Sequence, residues 1–178
     1  MKRFYYLACI LGLLFAGSIC AESDNIGLVR HPATDLKPVS FQQWDAVLDN
    51  SDGQISVVDY WASWCAPCIE RFPHMVEMHH KYKDQGVRFL SLNLDEYDDE
   101  ESIIWANDFL ARIKAVFPNY HMNENMLSAF ERLDLLGIPV VRIYAADGSE
   151  LHRLSGDNPN KQFSEKDVEN AILGLLAE

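Results

Sequence analysis

Val57-Val58-Asp59-Tyr60-Trp61-Ala62-Ser63-Trp64-Cys65-Ala66-Pro67-Cys68 carries an apolar, β-branched run into two cysteines, and a long helical pattern follows at once. The run predicts a strand that stops where a helix begins, which sets Cys65 at the helix N-terminus. Unpaired backbone N–H groups and the positive end of the helix dipole stabilise a thiolate there. Such a position lowers a cysteine pKa from about 8.5 to about 7 or below, and the thiolate is the form that attacks a disulfide. Cys68, one turn further along, can reach Cys65 to form or resolve a disulfide. Pro67 falls in the first turn, where its missing N–H costs nothing. A Cys-x-x-Cys pair is also half of a zinc site, but the other half needs a second such pair or a matching Cys/His pair, and the sequence offers neither. The pair reads as redox chemistry.

Trp64-Cys65-Ala66-Pro67-Cys68 behind an apolar strand resembles the thioredoxin superfamily. Asp59-Tyr60-Trp61-Ala62 before it and Pro73 after it match thioredoxin position by position. The tail Arg71-Phe72-Pro73-His74-Met75, with the export-like N-terminus, is similar to the extracytoplasmic TlpA/ResA/DsbE branch. The resemblance runs from about Ser40 to the C-terminus. It implies an α/β, thioredoxin-like sandwich: a central mixed β-sheet flanked by helices, with a helical insertion between Asp95 and Gly137, before the strand that carries a cis-proline.

Lys2-Arg3, an apolar run from Phe4 to about Ile19, and small residues behind it read as a secretory signal peptide over residues 1–21. Cleavage sites follow Ala21 or Ser18. The run is short for a spanning helix of about 20 residues, so an uncleaved anchor is the second reading. Cys20 suggests a lipoprotein site, but Ile19 before it is bulkier than that pattern wants. Residues 22–39 read as an N-terminal arm, and 40–178 as one thioredoxin-like domain. Without Lys2 and Arg3 the chain keeps 13 basic residues against 27 acidic ones, a net charge of −14, which excludes the basic surface that nucleic-acid binding needs. Cleavage after Ala21 leaves Cys65 and Cys68 as the only cysteines. A two-residue spacer closes almost no loop, so the pair contributes little chain-entropy stabilisation and exists for chemistry.

Elsewhere the pattern predicts a helix capped by Ser40 and running to Leu48, and a strand from Ile55 to Tyr60. An active-site helix from Cys65 to about Gln85, kinked at Pro73, then stops at Gly86. A second central strand covers Val87–Leu94, and helices follow over about Ser102–Arg112 and Asn123–Leu133, separated by a less regular stretch from Ile113 to His121. The chain closes with a hairpin of Val140–Ala145 and Leu151–Leu154 and a terminal helix capped by Ser164. Gly27-Leu28-Val29 is a candidate edge strand. Trp105, Phe109 and Phe117 are expected to pack the insertion on the sheet.

A carboxylate in an apolar strand is costly to bury ionised, so the pKa of Asp59 should rise unless it faces outward. The resemblance implies that Asp59 relays the proton of the buried Cys68. Thioredoxins also place a lysine near this aspartate, where this chain has Ser91, so Asp59 is expected to lack a cation. ResA-like proteins carry a functional glutamate where this chain has Arg71, a cation that would favour the thiolate. Glu70, one residue earlier, is about 100° round the helix and reads as solvent-facing. By the same resemblance Ile138-Pro139 is a cis bond opposite the cysteines, its backbone edge open to an extended substrate segment; a trans proline starting a strand is the alternative. Trp64, Ala66 and Pro67 complete the rim, with Trp64 as its apolar lip. His74, Met75, Met78, His79 and His80 suggest Cu(I), but methionines on a helix beside a sheet are usually core.

The reading is therefore an exported thiol–disulfide oxidoreductase, monomeric, without cofactor or metal, acting on protein thiol/disulfide substrates. The resemblance favours a reductant recharged by a membrane electron donor, with apocytochrome c as one substrate it allows. A DsbA-like oxidant, a copper-binding chaperone and a non-catalytic binding module are the alternatives.

Overall fold

The computed structural model describes residues 34–49, 53–158, 160 and 162–177. The expected signal peptide and the candidate strand Gly27-Leu28-Val29 lie outside them. The chain runs β1 (Lys37–Val39), α1 (Phe41–Leu48), β2 (Ile55–Trp61), α2 (Ala66–Tyr82), a 3-10 turn over Lys83–Gln85, β3 (Val87–Asn93) and α3 (Glu100–Arg112). It continues through β4 (Asn119–Met122), α4 (Met126–Arg132), β5 (Val140–Tyr144), β6 (Glu150–Ser155) and α5 (Glu165–Leu176). The six strands form one mixed sheet in the order β1-β4-β3-β2-β5-β6. Strands β1, β4, β3 and β2 run parallel to their neighbours, and β5 and β6 run antiparallel. This is a thioredoxin-like fold.

Local chemistry sets the boundaries. Ser40 and Gln43 form a reciprocal capping box at the start of α1, and Ser164 and Asp167 do the same for α5. Asp99 and Asn125 cap α3 and α4. Gly86 takes the left-handed conformation (φ 79°) that turns the chain from the 3-10 turn into β3. α2 passes unbroken through Pro73 on its exposed side, giving up one ladder bond to the Ile69 carbonyl.

Strand β2 is paired on both sides, and its alternation divides the core. Val57 and Trp61 face a cluster with Phe72 and Val76 of α2, Ala106, Phe109 and Leu110 of α3, and Val168 and Ile172 of α5. Val58 and Tyr60 face the other layer, where Trp44 of α1 and Ala129 of α4 are buried. Helices thus cover both faces of the sheet.

Two expectations are corrected. The stretch from Ile113 to His121 is not irregular throughout: Asn119–Met122 is a strand, so the insertion is helical only in part and widens the sheet. Its residues have little intrinsic strand preference. Pairing with β3 and β1 on either side, Ser91 with Asn119 and Val39 with Met122, makes it one. This pairing also draws Lys37–Val39, part of the expected arm, into the sheet. Of the three insertion aromatics, Phe109 and Phe117 are buried as expected, but Trp105 is exposed.

Trp61, Phe109 and Phe117 surround Phe72 at ring distances of 5.0, 5.7 and 6.0 Å, joining β2, α2 and the insertion. Phe72→Ala should lower unfolding free energy in urea by about 3–5 kcal/mol, the usual loss for emptying a buried aromatic site.

Candidate active site

The strand β2 ends at Trp61 and three residues turn the chain into α2. Cys65 is the N-cap of that helix: its backbone is non-helical, and its carbonyl accepts from the N–H groups of Cys68 and Ile69 at 3.0 and 3.1 Å. Cys65 and Cys68 are joined by a disulfide, with Cα atoms 5.3 Å apart. Cys68 is wholly buried and Cys65 almost so. Around them Trp64, Ala66 and Pro67 form an exposed rim, with Trp64 56% accessible.

Asp95 pins this turn from below. Its carboxylate accepts from the Ser63 N–H at 3.0 Å, the Ser63 hydroxyl at 2.9 Å and Asn93 Nδ2 at 2.8 Å. Sequence reasoning passed over Asp95. Its signal was the polar ending Asn93-Leu94-Asp95 on a strand parallel to β2, which pairs Asn93 with Trp61 and delivers the carboxylate beneath the cysteine turn.

Asp59 points to the α2 face and is fully buried, not outward-facing. Contrary to expectation it has a cation. The Arg71 guanidinium donates from Nη2 to Asp59 Oδ1 at 2.5 Å, and stacks over Phe163 at 4.6 Å. Ser91, beside Asp59 in the register, is turned to other work, donating to Asn119 Oδ1. The missing strand cation is thus supplied by the helix, and Arg71 lies one turn beyond Cys68 on the same buried face. Burial dominates the carboxyl's electrostatics and pushes Asp59 up to about 6, against the opposing pull of Arg71. Asp59 Oδ2 makes no hydrogen bond among the described residues.

The Ile138–Pro139 peptide bond is cis, as expected. Antiparallel pairing sets Val140 opposite Tyr60, so Pro139 lies at the same end of the sheet as the cysteine turn. The Pro139 carbonyl accepts from the Gly156 N–H at 2.8 Å. A Cβ at Gly156 would stand 3.0 Å from Pro139 Cγ, so this position admits nothing larger without displacing the loop. Glu70 lies on the exposed side of α2. Met75 and Met78 are core residues. His74 meets Glu77, whereas His79 packs against Phe89 and Phe117, so these side chains do not converge.

The geometry agrees with known proteins. The family model Thioredoxin matches residues 35–104. The ResA thiol-disulfide oxidoreductase of Bacillus thuringiensis subsp. konkukian is 24% identical over 119 residues, 66% of this chain and 64% of that protein. The thiol:disulfide interchange protein HelX of Rhodobacter capsulatus is 26% identical over 125 residues, 70% of this chain and 65% of that one. A crystal structure from Chlorobium tepidum, of a protein assigned as thiol:disulfide interchange protein DsbE, superposes with a TM-score of 0.58. It is 27% identical and covers 74% of this chain and 84% of its own. The chain belongs to the thioredoxin superfamily, among its ResA- and DsbE-like members. It spans slightly less than two thirds of the length of the curated relatives it matches.

The raised pKa of Asp59 has a thermodynamic consequence. The folded state holds this proton more tightly than the unfolded state, so between pH 3.8 and about 6 the unfolded state binds fewer protons and the group's contribution to stability falls as pH rises. Asp59→Asn, isosteric with the protonated acid, lacks this titration. Measured by urea unfolding, the stability of the variant relative to wild type should increase from pH 4 to pH 6, by on the order of 3 kcal/mol, and level off above. A difference that does not vary with pH would show that Asp59 titrates normally.

Proposed function

We propose that the chain is an exported thiol–disulfide oxidoreductase that reduces protein disulfides. The observation that carries this reading is the Cys65–Cys68 disulfide at the N-terminus of α2, with the Asp59 carboxyl buried on the same face of the sheet. A reducible pair at a helix start, a nearby carboxyl that titrates near neutrality, and an open backbone edge at Pro139 are the parts of a disulfide-exchange site.

In the reductive direction the reduced Cys65 thiolate attacks one sulfur of a substrate disulfide. A mixed disulfide forms and the other substrate sulfur leaves as a thiolate. The Cys68 thiol passes its proton to Asp59, and the resulting thiolate attacks Cys65 Sγ, releasing the second substrate sulfur. Two electrons move to the substrate and the Cys65–Cys68 disulfide remains. A pKa near 6 suits Asp59 to this task, since at pH 7 the carboxylate is largely ionised yet basic enough to take a proton. Arg71 holds that carboxylate in place. Trp64, Ala66, Pro67, Ile138 and Pro139 border the substrate segment, which pairs with the backbone edge at Pro139 as an added strand.

A membrane electron donor recharges the pair, and apocytochrome c is one substrate within the class. Export rests on Lys2-Arg3 and the apolar run behind them. Among the described residues no helix is long and apolar enough to cross a membrane. The net charge of −14 after removal of residues 1–21 favours a reductant, because a strong oxidant needs a strongly stabilised thiolate.

Two measurements test the reading. Brief alkylation of the reduced protein at pH 7 should modify Cys65 well before Cys68, which is wholly buried; equal rates would remove the assignment of nucleophile and resolver. The redox equilibrium with glutathione should give a potential near that of thioredoxin, about −270 mV, and far from the DsbA value of about −120 mV. A value above about −150 mV would make the chain an oxidant.

A further inference from the structure

A groove opens beside the cysteine turn, lined by Ser63, Trp64, Asp99, Glu101, Ser102 and Trp105, with a volume of about 270 Å³. One wall is the rim residue adjacent to Cys65. The other is the first turns of α3, part of the insertion. We propose that this groove is a specificity site, which receives a basic side chain, arginine above all, carried a few residues from the reacting cysteine of the substrate. The proposal rests on the oxidoreductase reading and names the class of substrate it prefers.

Both indoles are placed for binding. Trp64 is 56% exposed and Trp105 40% exposed. The Trp105 ring lies flat on Phe109, centroids 5.4 Å apart and planes 8° from parallel, and Phe109 is itself wedged against Trp61 and Phe72. The indole is therefore braced by the core on one face. A rigid, exposed aromatic surface loses little conformational entropy when a partner covers it, and such residues dominate binding energy at interfaces. The π-face of an indole also attracts a cation.

The charge of the groove points the same way, by an independent route. Asp99 and Glu101 stand in its wall, and no Lys, Arg or His lines it. The Asp99 carboxylate is fixed by the Ser102 N–H at 3.1 Å and the Ser102 hydroxyl at 2.7 Å, and these hydrogen bonds hold its pKa below the usual carboxylate value. It stays anionic and in place. Between Arg88 and Arg112 the sequence has no basic residue, while Asp95, Glu96, Asp98, Asp99, Glu100, Glu101 and Asp108 are acidic. No cation of this stretch competes for the site. Arginine satisfies both features at once: its planar guanidinium stacks on an indole while its edge donates to a carboxylate. An acidic residue at the same distance from the substrate cysteine meets repulsion instead.

The test uses the reduced protein and two peptides, each with one intramolecular disulfide, identical except for arginine or glutamate two residues from the first cysteine. Wild type should reduce the arginine peptide with a kcat/KM about tenfold higher at low salt, the difference lying in KM and shrinking as NaCl is added. In Trp105→Ala/Glu101→Gln the ratio between the two peptides should fall to near one; the ratio is the readout, whatever the absolute rates. A wild-type ratio near one, or a ratio the variant leaves unchanged, overturns the proposal. Turnover of hydroxyethyl disulfide, neutral and too small to span to the groove, tests the oxidoreductase reading separately. If wild type reduces no disulfide at all, titration of the oxidised protein with the same peptides, their cysteines alkylated, decides the groove. Quenching of tryptophan fluorescence by the arginine peptide alone, lost in the variant, supports it; equal or absent quenching refutes it.

Discussion

The Asp95 carboxylate is the constraint on which the site depends. It collects both donors of Ser63 and the amide of Asn93, and its own carbonyl lies 3.2 Å from His121 Nε2. A single residue thus ties the turn after β2 to the end of β3 and to the inserted strand β4. Four residues later Asp99 caps α3, and Glu96 between them accepts from the Met126 N–H at the start of α4. Three carboxylates in five positions secure the cysteine turn and both inserted helices. Acidity that reads as solvated surface in the sequence is here partly structural. A buried carboxylate with several donors, none of them a formal cation, shares its charge among fixed dipoles and keeps each in place.

The Asp59–Arg71 pair shows a different balance. Both side chains are taken from water, and for Asp59 the loss of hydration exceeds the gain from the guanidinium. The pair is therefore poor evidence for stability and good evidence for function. A cation that fully compensated the burial would hold the carboxyl ionised and too weakly basic to accept a thiol proton. No cation at all would leave it protonated at neutral pH. Arg71 with one hydrogen bond, its guanidinium capped by Phe163, holds the carboxyl between these limits.

Much of the site was legible because its signals are local. Strand-to-helix transition, Cys-x-x-Cys spacing, the first-turn proline and the two capping boxes all act within a few residues, so they read directly from the chain. The cores of β2 and α2 follow from alternation and helical period for the same reason. Strand β4 was not legible: Asn119-Tyr120-His121-Met122 has no alternation of its own, and its form depends on partners far away in sequence. The partner of Asp59 was missed in the same way. Arg71 was noticed as a cation on the active-site helix, but only the packing of α2 on the sheet turns it toward the strand rather than toward solvent.

The sequence by itself determined the chemistry: two cysteines at a helix start, a carboxyl in the strand behind them, and a proline before the hairpin. These are properties of residue type and short spacing, which the backbone converts to geometry without help. The tertiary structure decided what surrounds that chemistry. It chose Arg71 as the cation for Asp59, Asp95 as the anchor of the turn, and left Trp105 outside the core facing Trp64 across a groove. Such choices depend on which surfaces meet when helices and sheet pack, a many-body balance of burial and desolvation that no short stretch of sequence encodes.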